Sequence, residues 1–143
     1  MLKGIPSIIS PELLKILMEM GHGDEIVLAD ANFPAKSCAQ RLARCDGHDL
    51  PPLLEAILGL FPLDVGMEYP IMLMKSEQEG ANQPTIWKRY REIINKYEVE
   101  TVEFQYLSRF EFYEQAKKAY AIIATGEKAL YANMILKKGV ITD

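Results

Sequence analysis

Short, almost wholly apolar runs alternate along this chain with segments of helical periodicity, and that alternation sharply limits the folds open to it. "EIVLAD", "YPIMLMKS", "YAIIATGE" and "YANMILKKGV" each hold an unbroken apolar stretch of strand length. A strand with one wet face alternates apolar and polar residues, whereas an unbroken apolar strand is covered on both sides. The cover comes from the segments between. "SPELLKILMEMG" is a punctuated helix: Ser10 caps it, Pro11 suits its first position, Glu12 favours the positive end of the dipole, and Gly21 can stop it. Leu13, Leu14, Leu17 and Met20 then face the core. "DLPPLLEAILGLF" restarts a helix with Asp49 as its cap, and "QPTIWKRYREIINKY" puts Ile86, Tyr90, Ile93 and Ile94 on one side. "ETVEFQ" reads as a shorter, more alternating strand. "SRFEFYEQAKKA" opens with a capping box, Ser108 to Glu111, and carries Phe112, Tyr113 and Ala116 on one face. A turn around Gly126 separates the last two strands. The expected fold is α/β: a single three-layer domain over residues 1–143, with a mixed or mostly parallel sheet and helices on both faces.

Composition narrows the function classes. A net charge of −4 without a clustered basic face gives no support to nucleic-acid binding. Lys117-Lys118 and Lys137-Lys138 read as solvated edges. No apolar stretch approaches the roughly 20 residues that span a bilayer, and "MLKGIPSIIS" does not read as a signal peptide. Two cysteines, Cys38 and Cys45, make no disulfide framework, which favours a reducing cytoplasm, and their spacing is not that of a zinc site.

Candidate reactive groups are few. His22, in "MGHGDE", is either a helix-terminating imidazole or a reactive group whose flanking glycines let the backbone approach a ligand. Asp30 closes the first strand and is either a turn-forming acid or a ligand contact beyond a carboxyl end. The six extended residues before it span about 20 Å, so His22 and Asp30 can lie at opposite ends of one strand. They would then meet only across a subunit boundary or through a folded-back loop. His48 reads as a loop histidine. Trp87 and the aromatic stripe Phe110, Phe112 and Tyr113 fit a core better than a sugar platform. Arg109 and the "YAN" at 131–133 complete a set suited to proton shuttling on a polar, neutral ligand. There is no glycine-rich phosphate loop and no nucleophile elbow.

Two stretches resemble the sugar mutarotase family that includes L-fucose mutarotase and D-ribose pyranase. They are "ISPELLKILMEMGHGDEIVLADANFPA" and "RFEFYEQAKKAYAIIATGEKALYANMILKKGV". "RFEFYE" resembles the fucose branch, since Arg109 stands where the ribose branch carries histidine. The resemblance implies a ribose pyranase-like fold and His22 as the catalytic histidine. It also implies Asp30, Arg109, Tyr131 and Asn133 as sugar contacts, with Tyr120 tuning the reaction. Asn32 and Lys36 stand where fucose-branch members can carry histidine, and "YAN" is "YGN" in some relatives. Tyr120 is phenylalanine in others.

The implied activity is interconversion of the α and β anomers of L-fucose by acid–base ring opening and closure, with no cofactor and no metal. Pyranose–furanose exchange of the ribose pyranase type, an aldose–ketose isomerase and a non-catalytic monosaccharide-binding protein stand as alternatives. The resemblance further implies a homo-oligomer, a ring or stacked rings up to a decamer, with the site near a subunit boundary.

Overall fold

The computed structural model describes residues 1–77 and 83–142. Eleven elements follow in chain order: α1 (Pro11–Glu19), β1 (Glu25–Ala29), α2 (Ala35–Cys38), β2 (Leu42–Cys45), α3 (Leu50–Leu58), β3 (Ile71–Met74), α4 (Thr85–Tyr97), β4 (Phe104–Leu107), α5 (Arg109–Lys118), β5 (Ala121–Thr125) and β6 (Met134–Lys137). The strands form one sheet in the order β2-β5-β1-β6-β3-β4. β1, β2 and β5 run parallel, as do β3 and β4, while β6 is antiparallel to both β1 and β3. The sheet is thus mixed, with one reversed strand between two parallel sets.

Strand periodicity explains the three layers. Ile26 and Leu28 of β1 join Leu13 and Leu17 of α1, Leu53 and Ile57 of α3, and Ile93 of α4 on one face. Val27 and Ala29 point the other way, to Ala35 of α2 and to Phe112 and Ala116 of α5. Because successive side chains alternate, an unbroken apolar run feeds both layers. Helix starts agree in part with expectation. Ser10 Oγ accepts from the Leu13 N–H at 3.2 Å, and the Ser108–Glu111 capping box is closed in both directions. Asp49 precedes α3 but makes no side-chain capping bond; Glu127 Oε2 accepts from Leu50 N instead, at 3.0 Å. α1 ends at Glu19 with Met20 extended, and the left-handed residue is Gly23 (φ 87°), not Gly21.

Two elements were not legible in the sequence, α2 and β2. "LARC" is a sheet-edge strand with one exposed residue, held by parallel pairing to β5. β4 lies further along than "ETVEFQ" suggests, and as the opposite edge strand it keeps only Phe104 buried. Lys138 is no solvated edge: its ammonium caps the end of α1, donating to the carbonyls of Met20 (2.5 Å) and Leu17 (3.3 Å). No helix among the described residues is long and apolar enough to cross a membrane.

Candidate active site

Sheet topology sorts the candidate residues onto two edges. Asp30 follows β1, Ser108 and Arg109 follow β4, and Lys75 and Ser76 follow β3, all at carboxyl ends. β6 runs the other way, so Tyr131 and Asn133 enter it from that same edge. His22 precedes β1 and Tyr120 precedes β5, which places both at the amino edge. Each five-residue strand separates the edges by about 15 Å.

The carboxyl edge holds a cavity of about 770 Å³ lined by Asp30, Phe33, Arg109, Tyr113, Tyr131 and Asn133, among others. Its volume falls in the roughly 300–1,000 Å³ range of small-molecule sites. The floor is a reciprocal pair. Asp30 N donates to Asn133 Oδ1 at 2.7 Å, and Asn133 Nδ2 donates to Asp30 Oδ2 at 3.1 Å. Asp30 Oδ1 also accepts from Asn32 N at 2.9 Å. Burial pushes the Asp30 carboxyl above its ordinary value, against the lowering effect of these bonds. One wall is aromatic: Phe33 meets Tyr113 edge-on at 5.4 Å and Phe112 at 6.0 Å. Arg109 forms the rim, exposed at the first position of α5, with Nε donating to the Tyr113 hydroxyl at 3.2 Å. A cation at a helix N-terminus is disfavoured by the dipole, so its place there suits a role toward a ligand.

Tyr131 carries a backbone cost that the surrounding structure must sustain. Its φ is 58°, the only left-handed non-glycine among the described residues. Two side chains of α4 hold that segment from the core. Trp87 Nε1 donates to the Tyr131 carbonyl at 2.9 Å, and Tyr90 Oη donates to the Ala132 carbonyl at 2.6 Å. Tyr90 is fully buried, and burial together with the Glu127 and Asp30 charges keeps its phenol far above the ordinary value. It therefore remains a donor. Glu127 braces the turn just before that segment. Besides Leu50 N, its carboxylate accepts from Lys128 N and Ala129 N at 3.1 and 3.0 Å, and its carbonyl accepts from Ala31 N at 2.8 Å.

At the amino edge His22 is largely exposed, with Nε2 3.4 Å from Asp64 Oδ2. Its turn hangs on the end of β6: Gly23 N donates to the Lys138 carbonyl, and Lys138 N donates to the Asp24 carbonyl, both at 2.8 Å. Tyr120 stands on this edge too, its hydroxyl donating to Glu19 Oε2 at 2.9 Å and its ring covered by the Arg41 guanidinium at 4.0 Å. Within one chain the structure brings Asp30, Arg109, Tyr131 and Asn133 together. It does not bring His22 or Tyr120 to them.

Sequence reasoning missed Trp87, Tyr90, Glu127, Asp64 and Lys138 as parts of these sites. Trp87 and Tyr90 were legible as core, and their polar tips gave a signal, since a buried indole N–H or phenol needs a partner. Among the described residues no three of His, Cys, Asp and Glu converge as metal ligands.

Fold and pocket together define a mixed α/β sheet protein with a candidate small-molecule pocket, part polar and part aromatic, at the carboxyl edge. The chain belongs to the RbsD / FucU transport protein family, whose model matches residues 3–141. It is 53% identical over 146 residues to the fucose mutarotase of Mus musculus, covering 98% of this chain and 95% of that one. The crystal structure of the fucose mutarotase from Streptococcus pneumoniae in complex with L-fucose is similar at a TM-score of 0.92 and 56% identity, covering 99% of this chain and all of that one. Bacillus subtilis RbsD complexed with D-ribose shares the fold at a TM-score of 0.75 and 28% identity, over 99% of this chain and all of that one.

Proposed function

We propose that this protein, as one mutarotase domain over residues 1–143, interconverts the α and β anomers of L-fucose. The observation that carries the reading is the carboxyl-edge pocket, with its Asp30–Asn133 pair, Tyr131 and rim Arg109. The likeness at about half identity to fucose mutarotases supports it. A sugar's hydroxyls each donate and accept, and the pocket meets them with a carboxylate, an amide, a phenol and a guanidinium.

His22 is the acid–base group. Ring opening moves the anomeric hydroxyl proton to the imidazole as C1=O forms and the C1–O5 bond breaks; O5 then takes a proton from the imidazolium. The two oxygens share one carbon, so one imidazole can serve both in succession, and closure on the other face reverses the steps.

This chemistry needs both edges around one sugar, and one chain holds them apart. The working form is therefore a homo-oligomer, a closed ring or stacked rings up to a decamer. The amino edge of one copy, with His22 and Tyr120, closes the carboxyl-edge pocket of the next. Tyr120 on the histidine's edge is placed to influence pyranose–furanose exchange as well. A cytoplasmic location accords with the two unpaired cysteines.

Complementation tests the reading. His22→Ala and Asp30→Ala each lower anomer exchange, read by saturation-transfer NMR of L-fucose, by roughly 10²–10⁴-fold for the histidine. Co-refolded as an equal mixture, they regain about a quarter of wild-type activity, because random neighbours then unite two intact edges. A mixture no more active than its parts would refute the shared site.

A further inference from the structure

We propose that Asp64 is a positioning residue for His22: it fixes which imidazole nitrogen carries the hydrogen and turns the other toward the sugar. The inference rests on His22 as the acid–base group and deepens that reading. A carboxylate offers only acceptors, so the nitrogen facing Asp64 Oδ2 at 3.4 Å, Nε2, is the one that bears hydrogen. Nδ1 is left with a lone pair, free to take the anomeric proton. When it does, the imidazolium forms beside a fixed negative charge.

The arrangement is built rather than incidental. His22 is 60% exposed, whereas the Asp64 side chain is only 14% exposed, so the carboxylate is the fixed partner and the ring the guided one. Asp64 N donates to the Lys137 carbonyl at 3.0 Å, its own carbonyl accepts from Met67 N at 3.0 Å, and Leu63 bridges Lys138. The His22 turn is tied to that same Lys138, through both its carbonyl and its N–H. Two turns more than forty residues apart are thus registered on one strand end. Gly139 makes the approach possible. A Cβ there would lie 2.4 Å from the Leu63 carbonyl oxygen and 2.9 Å from Asp64 Cα, distances no side chain tolerates. Gly23, left-handed at φ 87°, turns the chain directly after His22.

The test joins a measurement on the wild-type protein with a mutant cycle. Imidazole ¹⁵N shifts of neutral His22 should show the Nε2–H tautomer predominating; an Nδ1–H tautomer or an even mixture overturns the proposal without any variant. Asp64→Asn keeps the shape, loses the charge and brings in a competing donor. It should lower the exchange turnover of L-fucose by roughly 10- to 100-fold, part of what a whole acid–base group supplies, with KM within about twofold. Asp64→Glu should recover part of the loss. In a His22→Ala background Asp64→Asn should add nothing; an equal loss there means that Asp64 acts on the fold instead. Full activity of Asp64→Asn beside an impaired His22→Ala overturns this inference alone. Full activity of His22→Ala overturns the histidine assignment as well.

Discussion

Tyr90→Phe removes one buried oxygen and leaves the ring, which makes it a sharp probe of what holds the proposed sugar pocket open. The lost bond is the 2.6 Å contact from Tyr90 Oη to the Ala132 carbonyl, in surroundings where both residues are fully buried. Phenylalanine fills the same space, so no cavity term enters. The cost is the bond itself and the desolvation of an acceptor left without it, together about 1–3 kcal/mol. At about 2–4 °C per kcal/mol for a chain of this length, the midpoint of thermal unfolding should fall by roughly 2–12 °C. A functional effect should accompany it, because Tyr131 beside Ala132 sits in a left-handed conformation that costs about 1–3 kcal/mol. The two energies are of the same order, so loosening Ala132 lets Tyr131 relax and spoils the preformed contact surface. KM for L-fucose should rise about threefold to tenfold while the turnover of bound sugar changes little, since the proposed proton shuttle, His22, stands on the other edge. Trp87→Phe, which removes the 2.9 Å bond to the Tyr131 carbonyl, should raise KM in the same direction. Calorimetry and saturation-transfer NMR over a fucose series read both numbers. Lower stability with unchanged KM would mean that the 131–133 segment holds its shape without α4, and the preorganisation argument would fail.

Other substitutions address separate supports. Glu127→Gln keeps one acceptor oxygen where the carboxylate serves three backbone N–H groups; it should cost about 1–3 kcal/mol in urea unfolding, and an unchanged midpoint would remove Glu127 as the cap of α3. Asp30 has its folded value raised by burial, so as pH rises through the acid window above 3.8 the unfolded chain releases its proton first and Asp30 lowers stability. Relative to Asp30→Asn, wild type should therefore lose stability from about pH 4 upward and then level off; the opposite slope would show that the bonds from Asn32 and Asn133 outweigh burial. Arg109→His exchanges a permanently charged fork for a smaller, titratable ring, and it should weaken fucose turnover far more than ribose turnover. Equal losses for both sugars would make Arg109 a support of the whole pocket.

Much of the fold could be read because burial leaves a direct imprint on residue order. β1, β3 and β5 are buried at every position and apolar at all but Glu25 and Thr125, so they needed no tertiary information to be seen as strands covered on both faces. α1 and α5 announced their starts through Ser10 and Ser108, whose capping is local. The edges were another matter. β2 is a strand only because β5 pairs with it, and four residues reading "LARC" have no periodicity to report. The capping of α3 was misread for a related reason. Asp49 stands at the right position, yet the anion that reaches Leu50 N comes from 77 residues further along the chain. Local chemistry shows that a helix start needs an acceptor; which residue supplies it is a property of the packed chain.

The site divides along the same line. His22, Asp30, Arg109, Tyr131 and Asn133 could be nominated from residue type and family likeness, but where each stands depends on the direction of one strand. β6 runs opposite to β1, so the residues entering it, Tyr131 and Asn133, meet Asp30 leaving β1, while Lys138, leaving β6, meets the turn that carries His22. A parallel β6 would have sent Asn133 to the histidine's edge and left Asp30 without its amide partner. An apolar run such as "NMILK" reads the same in either direction. Strand direction is decided by what the connections allow: the eight residues between β5 and β6 are too few for a parallel crossover and suit a reversal. With that reversal one strand braces both edges at once, Asn133 against Asp30 at its entrance and Lys138 against the His22 turn at its exit. The strand that brings Asp30, Tyr131 and Asn133 together is thus the strand that keeps His22 on the opposite edge, and this is why the proposed site draws its histidine from a neighbouring copy.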